Sequence, residues 1–87
     1  MLYMLTWNIS EENYEAAVER FQAGDEMPAG VKMVGRWHAL GSGYGWTLVE
    51  TDDPVAAARI GVKWSDLVSS EVTPVLTDEQ VAEALAG

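Results

Sequence analysis

Cysteine is absent from the chain, and His38 is the single histidine among its 87 residues. Disulfides and thiolate metal sites are therefore excluded, and one histidine does not make a zinc centre. We predict neither a metal site nor a cofactor. A domain this short buries only a modest core, so a well-packed core or association with another chain remains as the source of its stability.

Basic residues are also few: five Lys and Arg stand against 14 Asp and Glu, which gives a formal net charge of −9. Binding to nucleic acids or to anionic membrane surfaces relies on Lys and Arg, so we predict neither partner. No apolar run approaches the roughly 18 residues that a membrane-spanning helix needs. The expected location is the cytoplasm.

The hydrophobic pattern predicts one α+β domain over residues 1–87, with the order β-α-β-β-α-β followed by a short helix. Strands are predicted at 2–7, 31–38, 46–51 and 68–76. The glycine-rich stretch 39–45 joins the second and third strands as a hairpin. Because Pro74 has no N–H to donate, the fourth strand is predicted to lie at an edge of the sheet. This order is that of a ferredoxin-like fold.

Local signals predict where each helix begins. Ser10 is expected to cap the first helix with Asn13 at its third position, and Gly24 to end it. The apolar residues of this helix recur at positions 14, 17, 18 and 21, on one face. Asp53 is expected to cap the second helix, with Pro54 as its first residue.

The second helix carries apolar residues around most of its circumference, so it is predicted to be largely buried. The third helix is predicted to open with a capping box formed by Thr77 and Gln80.

The first strand, Leu2 to Trp7, has apolar residues on both of its faces, which is typical of a strand that is covered on both sides. In a ferredoxin-like fold the helices cover one sheet face only. Large apolar groups on the bare face predict an association surface. We therefore predict a homodimer packed sheet to sheet.

Five short runs are spread along the chain: Met4-Leu5-Thr6-Trp7, Gly35-Arg36-Trp37-His38, Val49-Glu50-Thr51-Asp52-Asp53-Pro54, Trp64-Ser65-Asp66-Leu67 and Glu71-Val72-Thr73-Pro74-Val75. Together they resemble a family of short bacterial proteins that is catalogued only as a domain of unknown function. The resemblance implies the dimeric α/β-barrel class, whose relatives include cofactor-free monooxygenases and muconolactone-type isomerases. It supplies no catalytic residues.

Arg36 and His38 lie two apart on the second strand and therefore project from the same face. Arginine can bind a carboxylate through two donors, and histidine can move a proton near neutral pH. Such a pair suits an anionic, enolisable or phenolic ligand. The alternative is that Arg36 pairs with a structural acid and that His38 merely ends the strand.

Tryptophans provide rigid walls for a small-molecule pocket, and Trp7, Trp46 and Trp64 are the candidates. The alternative is packing in the core or at the dimer interface. His38 and Asp66 are the candidates for acid or base catalysis. Asp66 has its own alternative, which is to close the turn after the second helix.

The run Gly41-Ser42-Gly43-Tyr44-Gly45 joins two strands and opens no helix, so it is not a phosphate-binding loop. Three functions remain open. They are a homodimeric small-molecule-binding domain, a cofactor-independent enzyme resembling a monooxygenase or isomerase, and a structural or regulatory interaction module without a ligand.

Overall fold

The computed structural model describes all 87 residues and has the predicted order of elements. The elements are β1 (Leu2–Ile9), α1 (Tyr14–Ala23), β2 (Lys32–His38), β3 (Tyr44–Glu50), α2 (Pro54–Trp64), β4 (Val68–Val75) and α3 (Asp78–Leu85). The four strands form one antiparallel sheet in the order β2-β3-β1-β4. This is the ferredoxin-like arrangement, and Pro74 lies in an edge strand as predicted. None of the three helices has the length and apolar character needed to cross a membrane.

The predicted start of the first helix is wrong. Ser10 precedes a short 3₁₀ turn, Glu11–Asn13, and α1 begins only at Tyr14. The Ser10 side chain makes no capping hydrogen bond; its backbone carbonyl accepts from the Asn13 N–H at 3.1 Å instead. Such i to i+3 bonding is that of a 3₁₀ turn, which commonly precedes an α-helix. Gly24 ends α1 as predicted, with φ of 118°, a conformation that glycine adopts readily.

The other two helix starts are confirmed. The Asp53 carboxylate accepts the Val55 N–H at 3.0 Å, and Pro54 is the first residue of α2. Thr77 and Gln80 form the capping box of α3, with each side chain accepting the other's backbone N–H. These starts depend on contacts within four residues, which is why the local sequence predicts them.

The prediction that α2 is largely buried is wrong. One face of this helix is buried, through Ala56, Ala57 and Ile60, whereas Val55 and Val62 are exposed. Ala57 and Ile60 join Tyr3, Leu5 and Val49 in the hydrophobic core. The core therefore lies between α2 and one face of the sheet, here called the inner face.

Helix α1 contributes much less to the core, because Ala17 is its only buried residue. Tyr14 and Phe21, on its predicted apolar face, are 48% and 44% exposed. The helix thus stands away from the inner face and leaves a gap beneath it.

The opposite face of the sheet, here called the outer face, has no helix over it. Cross-strand register places Met4 beside Leu48, and places Thr6, Trp46 and Trp37 in the next row. Trp37 and Trp46 are 52% and 38% exposed. The two-sided apolar character of β1 therefore corresponds to a helix-covered inner face and an uncovered apolar outer face.

Candidate functional site

A cavity of about 1020 Å³, open to solvent, lies between helix α1 and the inner face of the sheet. Strand residues form its floor, including Leu5, Trp7 and Thr47. The half-exposed apolar side chains of Tyr14 and Phe21 line its wall. The apolar face of α1 therefore borders the cavity, and Phe21 reaches side chains of β2 on its other side.

The position of Trp7 is set by strand β3. Its indole Nε1 donates to the hydroxyl oxygen of Thr47 at 3.1 Å, and Thr47 is itself buried. The ring lies across Gly45, where any Cβ would overlap it. The hydrogen bond to Thr47 and the absence of a side chain at Gly45, both on β3, thus hold the indole in one orientation at the cavity floor.

Arg36 is anchored by a carboxylate from the loop after α1. Its Nη2 donates to Asp25 at 2.7 Å. Asp25 also accepts from Lys63 Nζ at 3.4 Å and from Trp64 Nε1 at 3.3 Å, and its side chain is only 7% exposed. A buried carboxylate is stable only with such donors around it. Asp25 therefore ties together the loop, strand β2 and the end of α2 at one end of the cavity.

Asp25 belongs to the site and was not predicted. Its partners lie 11, 38 and 39 residues away along the chain. An acidic residue in a loop carries no local signal of such contacts. Arg36 thus has an acidic partner, as its alternative interpretation states, while its role towards a ligand stays a prediction.

An aromatic cluster connects α1 to β2 across the cavity. The ring of His38 makes edge contacts with Trp7 and Phe21, with centroids 5.3 and 5.9 Å apart. The Arg36 guanidinium lies 5.2 Å from the centroid of the same Phe21 ring. Such geometries stabilise by about 0.5–1.5 kcal/mol each when partly desolvated. His38 makes no side-chain hydrogen bond and remains exposed.

Four of the predicted site residues line the cavity together: Trp7, Arg36, His38 and Trp64. Trp46 does not, because it lies on the outer face beside Trp37. The structure therefore joins the predicted polar pair to two of the three predicted tryptophans.

Asp66 also lies outside the cavity. Both of its carboxylate oxygens accept from Arg20, at 2.8 and 2.6 Å, and the guanidinium of Arg20 stacks 5.2 Å from the Trp64 ring. The hydrogen bonds from Arg20 hold the pKa of Asp66 below its ordinary value. Asp66 thus stays ionised and fastens α1 to the segment after α2, so it is not brought together with His38.

No three His, Asp or Glu side chains converge in the structure as a metal site would require. The arrangement offers aromatic walls, one anchored guanidinium and one imidazole without a hydrogen-bond partner. Those groups can hold a flat molecule and meet one polar or anionic group on it.

Fold and cavity together define a ferredoxin-like α+β domain with a candidate ligand site beneath its first helix. The chain belongs to the family described as Domain of unknown function (DUF3303), whose model matches residues 1–87. This confirms the resemblance to an uncharacterised family. No curated protein and no solved structure matches the chain significantly.

Proposed function

We propose that this protein is a homodimeric small-molecule-binding domain whose ligand lies between α1 and the inner face of the sheet. The cavity is the observation that carries the proposal. Its volume of about 1020 Å³ is just above the range of about 300–1,000 Å³ typical of ligand pockets. A filled interior would instead have favoured an interaction module without a ligand.

The chemistry of the ligand follows from what lines the cavity. Trp7 and Phe21 favour a planar, largely apolar body. Asp25 accepts from one guanidinium nitrogen of Arg36, which leaves other N–H donors for an anionic or carbonyl group of the ligand. Glu11 and Glu15 also line the cavity and repel an anion near them. The acidic group of the ligand therefore lies towards Arg36.

Binding is favoured over catalysis because His38 has no orienting partner. A general base is usually held by a third group that fixes its tautomer, and His38 has only ring contacts. The cofactor-independent enzyme is the alternative. It would gain support from turnover that is abolished in His38→Gln while ligand affinity is kept.

The four tryptophans provide an internal control for a binding experiment. Trp7 and Trp64 line the cavity, whereas Trp37 and Trp46 lie on the outer face. We would titrate 2-naphthoic acid and its neutral amide into labelled protein and follow the four indole N–H resonances by NMR. Assignment by Trp→Phe variants identifies each signal.

The expected result is that naphthoate shifts the signals of Trp7 and Trp64 and leaves those of Trp37 and Trp46 in place. The amide should bind more weakly because it lacks the charge that Arg36 attracts, and Arg36→Gln should remove that preference. If a panel of such planar acids left all four signals unchanged at millimolar concentration, the cavity would not be a binding site for this class.

The dimeric part of the proposal is supported by the uncovered apolar outer face. Covering its tryptophans and aliphatic side chains is favourable at about 25 cal/mol per Å² before the costs of association. Sedimentation velocity at micromolar concentration should give a dimer, and Trp46→Glu should give a monomer. A monomeric wild-type protein would refute the dimer without affecting the cavity titration.

A further inference from the structure

Leu40 lies in the hairpin loop between β2 and β3 and is fully exposed, with a relative exposure of 102%. The residue nevertheless lines the cavity beneath α1. A single exposed leucine on an ordinary surface needs no explanation. At the rim of a cavity, such a side chain is within reach of a molecule that enters, and that molecule can remove it from water.

Other exposed apolar side chains line the same cavity. Tyr14 and Phe21 come from α1, and Tyr44, which is half exposed, comes from the start of β3. With Leu40, four large side chains from α1 and from the hairpin therefore line one cavity while they remain in contact with water. A ligand in the cavity would cover apolar surface on both parts of the chain at once.

The two ends of the hairpin loop are fixed. The Ala39 N–H donates to the Tyr44 carbonyl oxygen at 2.9 Å, and the Ile9 N–H donates to the Gly43 carbonyl oxygen at 2.8 Å. A Cβ at Gly43 would overlap the carbonyl oxygen of Ile9, so this close approach to β1 requires glycine. Ala39 is thus tied to β3, and Gly43 is tied to β1.

The three residues between these ends are held much less firmly. The backbone of Leu40, Gly41 and Ser42 makes no hydrogen bond to other backbone groups. The one side-chain hydrogen bond of this segment runs from the Tyr44 N–H to the Ser42 hydroxyl oxygen and is long, at 3.4 Å. Gly41 has a φ of 74°, and glycine moves between such a conformation and others at little steric cost. Segment 40–42 can therefore change its conformation without breaking the contacts that hold the fold.

We propose that segment 40–42 is a short flap that closes on the bound ligand and lays the Leu40 side chain against its apolar body. The inference rests on the proposed function and adds a residue that sets how strongly and for how long the ligand is held. Because Leu40 is fully exposed without a ligand, covering it removes the most apolar surface from water that this residue can provide. Since the flap must open before the ligand leaves, its contribution should appear mainly in the rate of dissociation.

A substitution at Leu40 tests its contribution to binding. Leu40→Ser removes the apolar contact, and Leu85→Ser makes the same change at an exposed leucine of α3 that does not line the cavity. With 2-naphthoic acid as the probe, we expect Leu40→Ser to raise the dissociation constant about tenfold, through faster dissociation, and Leu85→Ser to leave it unchanged. Equal constants for wild type and Leu40→Ser would overturn the inference and leave the proposed function standing. A wild-type protein that binds no planar acid would overturn both.

NMR locates the contact and detects the closure. The Leu40 methyl groups should show NOEs to the naphthoate ring, whereas those of Leu85 should show none. Backbone N–H order parameters of residues 40–42 should rise when the site is saturated. Those of Ala29 and Gly30, in an exposed turn that does not line the cavity, should stay the same.

The stability of both variants should equal that of wild type in urea denaturation, because each changes an exposed side chain. Weaker binding by Leu40→Ser without NOEs from Leu40 to the ligand would mean an indirect effect and would overturn the inference. NOEs with unchanged order parameters would overturn the closure of the flap, because Leu40 would then contact the ligand from a fixed position.

Discussion

The indole of Trp7 occupies the space above Gly45, its cross-strand neighbour on β3. Gly45→Ala places a methyl group inside the ring, so the indole must move and lose its hydrogen bond to Thr47. We expect a loss of about 1–3 kcal/mol in the free energy of unfolding, the range typical of overpacking. Urea denaturation measures the loss, and the indole N–H resonance of Trp7 should shift.

Gly61→Ala is the matched control. A Cβ at Gly61 would meet only the Cβ of Ser70 at 3.6 Å, an ordinary contact, and the residue lies inside α2. Alanine there should raise the free energy of unfolding by up to about 1 kcal/mol. Equal effects of the two substitutions would show that Gly45 does not confine Trp7.

The Asp25 carboxylate is expected to support both the fold and the site. Asp25→Asn leaves the charges of Arg36 and Lys63 without their common partner. We expect the free energy of unfolding to fall by about 2–3 kcal/mol, since Asp25 is buried while the cations remain partly hydrated. Chemical denaturation should show this, whereas Glu19→Gln, an exposed change of the same kind, should have no effect. A loss no larger than in Glu19→Gln would mean that the buried carboxylate contributes little.

The features that the sequence predicts correctly depend on short-range rules. The alternation of a strand places Arg36 and His38 on one face, and cap residues place the starts of α2 and α3. Pro74 in an edge strand follows from its missing donor. Each of these conclusions needs only residues within a few positions of one another.

The features that the sequence does not predict depend on contacts between residues that are far apart along the chain. Strands β1 and β3 carry apolar residues at both alternating sets of positions. The hydrophobic pattern therefore does not indicate that Trp7 faces the helices and that Trp46 faces away from them. The sequence also does not predict the gap beneath α1, because an apolar helix face predicts burial whatever its distance from the sheet. Asp25 could be found only once residues 36, 63 and 64 had been brought beside it.

The cap of α2 gives a prediction with a neighbouring control. Asp53→Ala removes the acceptor of the Val55 N–H, and because α2 packs on the core, the whole domain should lose about 1 kcal/mol of its free energy of unfolding. Asp52→Ala, one residue earlier and fully exposed, should lose almost nothing. Thermal denaturation of both variants makes the comparison. Equal losses would mean that charge near the helix start matters more than the capping bond.

The ion pair between Arg20 and Asp66 predicts a dependence of stability on pH. Hydrogen bonds from Arg20 lower the pKa of Asp66 in the folded protein, so the unfolded chain binds a proton more readily than the folded one. The stabilisation is therefore fully present above the ordinary aspartate pKa of about 3.9 and is lost as the pH falls through the lowered value. Its size should be small, because the pair is exposed.

Thermal denaturation of wild type and Asp66→Asn between pH 7 and pH 2 measures this dependence. The difference in Tm should be constant above about pH 5, should shrink below pH 4 and should vanish in strong acid. The other carboxylates titrate in both proteins and cancel in the difference. Arg20→Gln should show the same dependence on pH, added to a loss that does not change with pH, because it also removes the contacts of Arg20 with the Trp64 ring and the Lys63 carbonyl oxygen. A difference in Tm that did not change with pH would show that Asp66 acts through packing rather than through its charge.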